Sequence, residues 1–205
     1  LLKNPASVVA GSAVGVWHTG PPIVSGPISQ SEFGEATSEA HVVGEFPLRP
    51  SQCDAISNFL AGIDKYHRTM TVQPLQQYVI FPHHKWVVSK ETNRRIRRKF
   101  SCAGFVIEAY AAAGILLVDV NRLPLAGVDH VEFAYPDFRR LEELSEAVQK
   151  RIGFPGLEEF GIVGDGPWPI ALPGYLFYAC DRGQTTQEFT TFVVSTVDMA
   201  SFPKT

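Results

Sequence analysis

Phe100-Ser101-Cys102-Ala103-Gly104-Phe105-Val106-Ile107-Glu108-Ala109-Tyr110-Ala111-Ala112-Ala113-Gly114-Ile115 is the stretch from which the rest of the chain is read. Residues 102–113 predict a helix that is apolar nearly all round, and therefore central and buried, with Gly114 as its stop. Ser101 is a good N-cap, which sets Cys102 in the first turn. There the unpaired N–H groups and the helix dipole favour negative charge, so a thiol is shifted toward the nucleophilic thiolate. Ala103 and Gly104 are small, leaving room for a substrate at the sulfur, and the Cys102 backbone N–H can serve an oxyanion. The bland alternative is a small buried hydrophobe, the commoner fate of a free cysteine. Position and residue types alone leave the two readings balanced.

Upstream of this helix the chain carries the basic run Arg94, Arg95, Arg97, Arg98 and Lys99. Its first reading is a solvated segment; the others are an electrostatic aid to Cys102 and a contact for an anionic substrate or lipid head group. Residues 78–81 and 86–89 look like short extended pieces around Pro82-His83-His84. Adjacent histidines on an extended segment point to opposite faces, so this pair reads as solvated rather than metal-ligating. Before it, Pro50-Ser51 starts a helix in which Cys53, Ile56, Phe59, Leu60 and Ile63 recur at helical spacing. His67 follows that helix, where a positive charge suits the C-terminus.

The N-terminal part reads as β. Residues 7–18 form a strand ending near His18, and residues 41–48 form a second. Between them, residues 19–38 are rich in Gly, Pro and Ser and predict a long loop or an irregular β excursion. If the two strands pair as an antiparallel hairpin, the end of the first meets the start of the second, and His18 and His41 become neighbours. Downstream of the central helix, residues 138–152 predict an amphipathic helix with Leu141, Leu144, Val148 and Ile152 on one face. Residues 175–180 and 189–197 read as strands after a Pro173-Gly174 turn. Cys180 in the first of these and Cys53 read as packing residues. No linker or repeat divides the chain, so residues 1–205 form a single α+β domain.

Composition bounds the function. With 205 residues, 45% hydrophobic and 19% charged, the chain can build one sizeable core. A net charge of −3 gives no reason to expect nucleic acid as a partner. No apolar run reaches the roughly 18 residues of a membrane span. Three cysteines are too few and too scattered for a disulfide framework or a zinc site. There is no Walker loop, dinucleotide fingerprint or metal-ligand cluster, so no cofactor is expected. The chain opens Leu1-Leu2-Lys3 without a Met, which leaves a leading signal segment, and with it the compartment, open.

The segment 100–115 resembles the nucleophile helix of the NlpC-like superfamily of papain-fold cysteine hydrolases, whose pattern is Asp-Cys-Ser-Gly-Phe/Leu-Val, a Tyr on the same helix, then Ala-Gly-Ile. Cys102, Gly104, Phe105, Val106, Tyr110, Ala113, Gly114 and Ile115 match, while Ser101 replaces the Asp and Ala103 the Ser. Leu172-Pro173-Gly174-Tyr175-Leu176-Phe177-Tyr178 is similar to the family's Pro-Gly-Asp-Leu-Val-Phe-Phe strand, with Tyr175 in place of the Asp. In the usual order a catalytic histidine opens the next strand, yet residues 185–197 contain none. The resemblance therefore implies either a lost base or a circularly permuted member, related to the lecithin retinol acyltransferase-like proteins, whose histidine strands precede the cysteine. Ala40-His41-Val42-Val43-Gly44 resembles the family's Ser-His-Val-Gly strand with one residue inserted, which favours permutation.

What the resemblance implies is a papain-like, NlpC-type fold, an antiparallel sheet packed on a central nucleophile helix. Cys102 is then the nucleophile, and His18 and His41 are base and orienter. His18 is favoured as the base; Glu39 is a fallback orienter and His130 a minor contender for the base. The implied activity is amide cleavage through a Cys102 acyl-enzyme, by a peptidase or amidase acting on a peptide or acyl-amide substrate of cell-wall or lipid origin. Lipid acyl transfer or thioester cleavage uses the same thiol chemistry and is the first alternative. A non-catalytic binding module of the same fold is the second.

Overall fold

The computed structural model describes residues 2–3, 16–19, 23–26, 48–67, 79–80, 82–134, 140–154, 156–172, 175–176, 179, 191 and 193. The chain is α+β. Two separate antiparallel sheets and a set of helices are arranged around one helix, α2 (Cys102–Ala112), which runs between two cores. Ala103 and Ile107, one turn apart, enter the first core with Ile80, Ile115, Trp168 and Ile170. Phe105 and Ala109 lie on the opposite side and enter the second, with Phe59, Leu60, Ile63 and Phe100. A helix apolar all round satisfies both faces only between two partners, as its composition predicts. Gly114, at φ +74, ends it where the Ile115 N–H turns back to the Tyr110 carbonyl at 3.0 Å.

Helix α1 (Pro50–His67) starts at the expected Pro50 and presents Ile56, Phe59, Leu60 and Ile63 to the second core. Phe59, Phe100 and Phe105 meet there as an aromatic triangle with centroids 5.7–6.2 Å apart, edge-to-face where Phe100 takes part. Among the described residues no helix is long and apolar enough to cross a membrane.

The first sheet has strand order β1 (Leu2–Lys3), β2 (Val16–Thr19), β3 (Ile23–Gly26), all antiparallel. β2 contains His18, as expected, but its partner differs from the one anticipated. His18 stands opposite Val24 on β3, and Trp17 opposite Leu2 on β1, so both edges of β2 are taken by segments other than 41–48. Pairing β2 with β3 joins segments closer in sequence than pairing to residue 41 would, at lower entropic cost. His41, Glu39 and the strand expected at 41–48 lie outside the described residues, apart from Leu48.

The second sheet is a hairpin, β4 (Lys85–Val88) with β5 (Arg95–Lys99), and β5 packs on α1. Downstream, α3 (Val128–Ala134) carries His130, and an Ala126–Trp168 bridge ties the loop ahead of α3 to residue 168. The single amphipathic helix expected over 138–152 is two: α4 (Arg140–Glu143) and α5 (Glu146–Ile152), interrupted at Leu144-Ser145. Gln149 spans the break, its Nε2 donating to the Leu141 and Glu142 carbonyls at 3.0 Å each, which satisfies acceptors a continuous helix would have used. Leu144, placed on the apolar face by periodicity, is exposed instead.

A short helix α6 (Leu157–Phe160) follows. Tyr175, Leu176 and Ala179, expected in a strand, are helical; a short continuous apolar run has no period that separates the two states. Thr191 and Val193, from the other expected strand, carry no regular structure, and Cys180 lies outside the described residues.

Candidate functional site

The site is built from the start of α2. Ser101 takes an extended conformation (φ −83°, ψ 170°), and its Oγ accepts from the Gly104 N–H at 2.9 Å. Its carbonyl accepts the first helical bond, from Phe105 N–H at 2.9 Å. The cap is wholly buried, so the hydroxyl serves a donor that water cannot reach. Cys102 follows as the first helical residue, half-buried and outside any disulfide, with Ala103 and Gly104 buried beside it. First-turn N–H groups stand outside the helical ladder, and the dipole's positive end lies with them. Cys102 also packs against the first core, together with Leu48, Val106 and Tyr110.

The histidines divide by element. β2, which carries His18, approaches α2 with Cα atoms within 8 Å, so the strand and the helix are neighbours at the level of the backbone. His41 lies outside the described residues, and the register that was to set it beside His18 belongs to Val24 instead. His130 is half-buried on α3, next to the fully buried Val131.

His84 departs from the solvated reading. Its Nδ1 lies 3.0 Å from Glu108 Oε1, and its ring stands edge-on to Trp86 at 5.6 Å and tilted to Phe100 at 6.1 Å. The Nδ1–Oε1 approach is misaligned for a hydrogen bond, and the backbone N–H of His84 donates to the same Glu108 oxygen at 3.5 Å. His83 stays more exposed, 4.0 Å from the same oxygen. The available signal was Glu108 itself, the one charged residue in Cys102–Ala112. A carboxylate on a buried helix needs a partner. At about 100° and 1.5 Å per residue, Glu108 lies roughly 120° around and about 9 Å along the axis from Cys102. The pair therefore clasps the middle of α2 to the segment before β4 and does not address the thiol.

The basic run splits into two groups. Lys85 and Lys99 are cross-strand neighbours, a repulsive arrangement relieved by Glu159 on α6. The Lys85 Nζ donates to Glu159 Oε2 at 3.0 Å, and the Lys99 Nζ lies 3.9 Å from it. The Lys85 hydrogen bond, then the two positive charges, hold the Glu159 carboxyl below its ordinary value against the opposing effect of burial. The Arg98 guanidinium sits over Phe59 at 4.6 Å, Phe100 at 5.4 Å and Trp86 at 5.7 Å. Arg94 and Arg95 are exposed, as a solvated segment would be. The two cations nearest Cys102 in sequence are thus engaged with Glu159 and with aromatic rings.

Tyr175 is fully buried, and desolvation raises its hydroxyl pKa to about 12. A cleft of about 630 Å³ lies elsewhere, lined by Glu142, Glu143, Glu158, Asp165 and Trp168 among others; neither Cys102 nor a histidine lines it. Among the described residues no group of three or more His, Cys, Asp or Glu could hold a metal ion. Comparison of the chain with protein-family models, curated proteins and solved structures finds no match.

Proposed function

We propose that the chain is a cysteine hydrolase of papain-like, circularly permuted topology that cleaves an amide through an acyl-enzyme on Cys102. The observation that carries this reading is the placement of Cys102 as first residue of a helix whose N-cap is wholly buried. A rigid helix start holds the sulfur and the first-turn N–H groups in one fixed relation, which thiol catalysis requires. The Cys102 thiolate attacks the carbonyl carbon, and the tetrahedral oxyanion is met by first-turn N–H groups. The C–N bond then breaks, and the leaving amine takes a proton from the histidinium that received the thiol proton. Water, deprotonated by the same histidine, releases the acid from the thioester. His18 is the base in this scheme, supported by the approach of β2 to α2. A lipid-derived acyl group is served by the same steps.

A non-catalytic module of this fold is the second reading, favoured by the apolar packing of Cys102 and by the buried phenol of Tyr175 at the position of the family's Asp. Iodoacetamide labelling across pH separates the two, with Cys53 as internal reference. Activation predicts that Cys102 alkylates much faster than Cys53 at neutral pH, and that His18→Ala removes the difference. Cys102 reacting only in step with Cys53 and unaffected by His18→Ala would defeat the hydrolase reading.

A further inference from the structure

We propose that the turn end of the β4–β5 hairpin is a docking surface for an anionic lipid bilayer. Residues 85–99 hold seven Lys or Arg and one acid, Glu91, whereas the other 190 residues hold 11 basic against 20 acidic side chains. Basic charge is thus concentrated in one segment of a chain whose net charge is only −3. Three of the seven cations have structural duties, Lys85 and Lys99 at Glu159 and Arg98 over its rings. Lys90 and Arg94 do not, Arg95 only leans on the Trp86 ring, and all three are exposed around the turn.

The turn holds them in place. Ser89 N–H donates to the Arg94 carbonyl and Asn93 N–H to the Ser89 carbonyl, both at 2.9 Å, and Thr92 N–H donates to Ser89 Oγ at 3.2 Å. Asn93 adopts φ +49°, the left-handed conformation that Asn tolerates better than most residues. Arg95 lies over Trp86, its guanidinium carbon 5.4 Å from the ring centroid, which keeps this cation beside the turn.

A bilayer fits this surface better than a soluble polyanion for two reasons. Val88, 44% exposed, stands at the end of β4 beside the cations, and a half-buried Trp86 precedes it, the mixture of apolar and basic groups that suits a head-group interface. Furthermore, a flat anionic surface can meet the hairpin's turn alone, whereas a ligand that wraps the chain meets net negative charge. The inference is independent of the thiol chemistry.

The test is co-sedimentation of the full chain with vesicles of phosphatidylcholine alone or with 30% phosphatidylserine (roughly a physiological anionic fraction). Binding only to the anionic vesicles is expected, with loss in ~0.5 M NaCl. Each cation near such a surface contributes about fivefold in partition, so K90E/R94E/R95E should reduce binding by at least ~100-fold. Circular dichroism checks that the variant still folds. Val88→Ser should weaken binding roughly fivefold, Glu91→Gln should strengthen it a few-fold, and Cys102→Ser should leave it unchanged. No binding to anionic vesicles at low salt, or equal binding by the triple variant, overturns the proposal. Binding to soluble polyglutamate as tight as to vesicles of equal charge, with Val88→Ser inert, overturns it in favour of an acidic protein partner.

Discussion

Helix α2 and the β4–β5 hairpin adjoin in sequence but are held by different physics. α2 is fixed by apolar burial on two faces, and its one charge, Glu108, is answered by a histidine from outside the helix. The hairpin is fixed by compensation of charge: a carboxylate under two lysines and three rings under one arginine. Burial is collective and strong, while exposed charge pairs are screened and individually weak. A reactive residue that must not move belongs at the start of the first kind of element. A surface meant to meet a partner belongs on the second kind.

The contrast can be broken first in the core. Phe105→Ala removes a fully buried ring that touches Phe59 and Phe100 and should lower unfolding free energy by about 3–5 kcal/mol, read by denaturant titration. A loss below about 1 kcal/mol would mean that α2 is not the shared wall of two cores. Next is the cap. Ser101→Ala leaves the Gly104 N–H without its acceptor in a buried site and should cost about 1 kcal/mol, at the upper end of cap effects if water cannot enter. The same variant should slow Cys102 alkylation, because a frayed first turn no longer aims its N–H groups at the sulfur.

The smallest effect belongs to the hairpin's ion pair. Glu159 has its pKa lowered in the folded state, so its contribution is present above the ordinary value near 4.5 and is lost as pH falls through the lower folded value. Glu159→Gln should therefore remove a few tenths of a kcal/mol at neutral pH and nothing once the pH lies below the folded value, since both partners are partly exposed. A chain whose acid unfolding curve is unaltered at every pH by this change would show that rings alone hold the hairpin.

Much of α2 was legible because its signals are local. The cap, the stop at Gly114 and the all-round apolar pattern lie within 16 consecutive residues, and the apolar face of α1 follows from spacing within one helix. The partner of β2 was misread because strand pairing depends on loop closure, and two candidate partners, 23–26 and 41–48, were both present. The break at Leu144-Ser145 was hidden because the apolar spacing continues across it, and only Gln149 folding back makes it stable. His84 looked solvated because its partner is 24 residues away on α2.

By itself, then, the sequence determined a capped, buried helix with Cys102 at its first position, an amphipathic helix ahead of it and a dense basic segment between them. Those features rest on propensity, spacing and composition, which act over a few residues. Tertiary structure alone decided that β2 runs beside that helix, that Glu159 relieves two lysines 60 and 74 residues upstream, and that three cations remain exposed at the hairpin's turn. Such pairings depend on which segments the core brings together, and no local period encodes them.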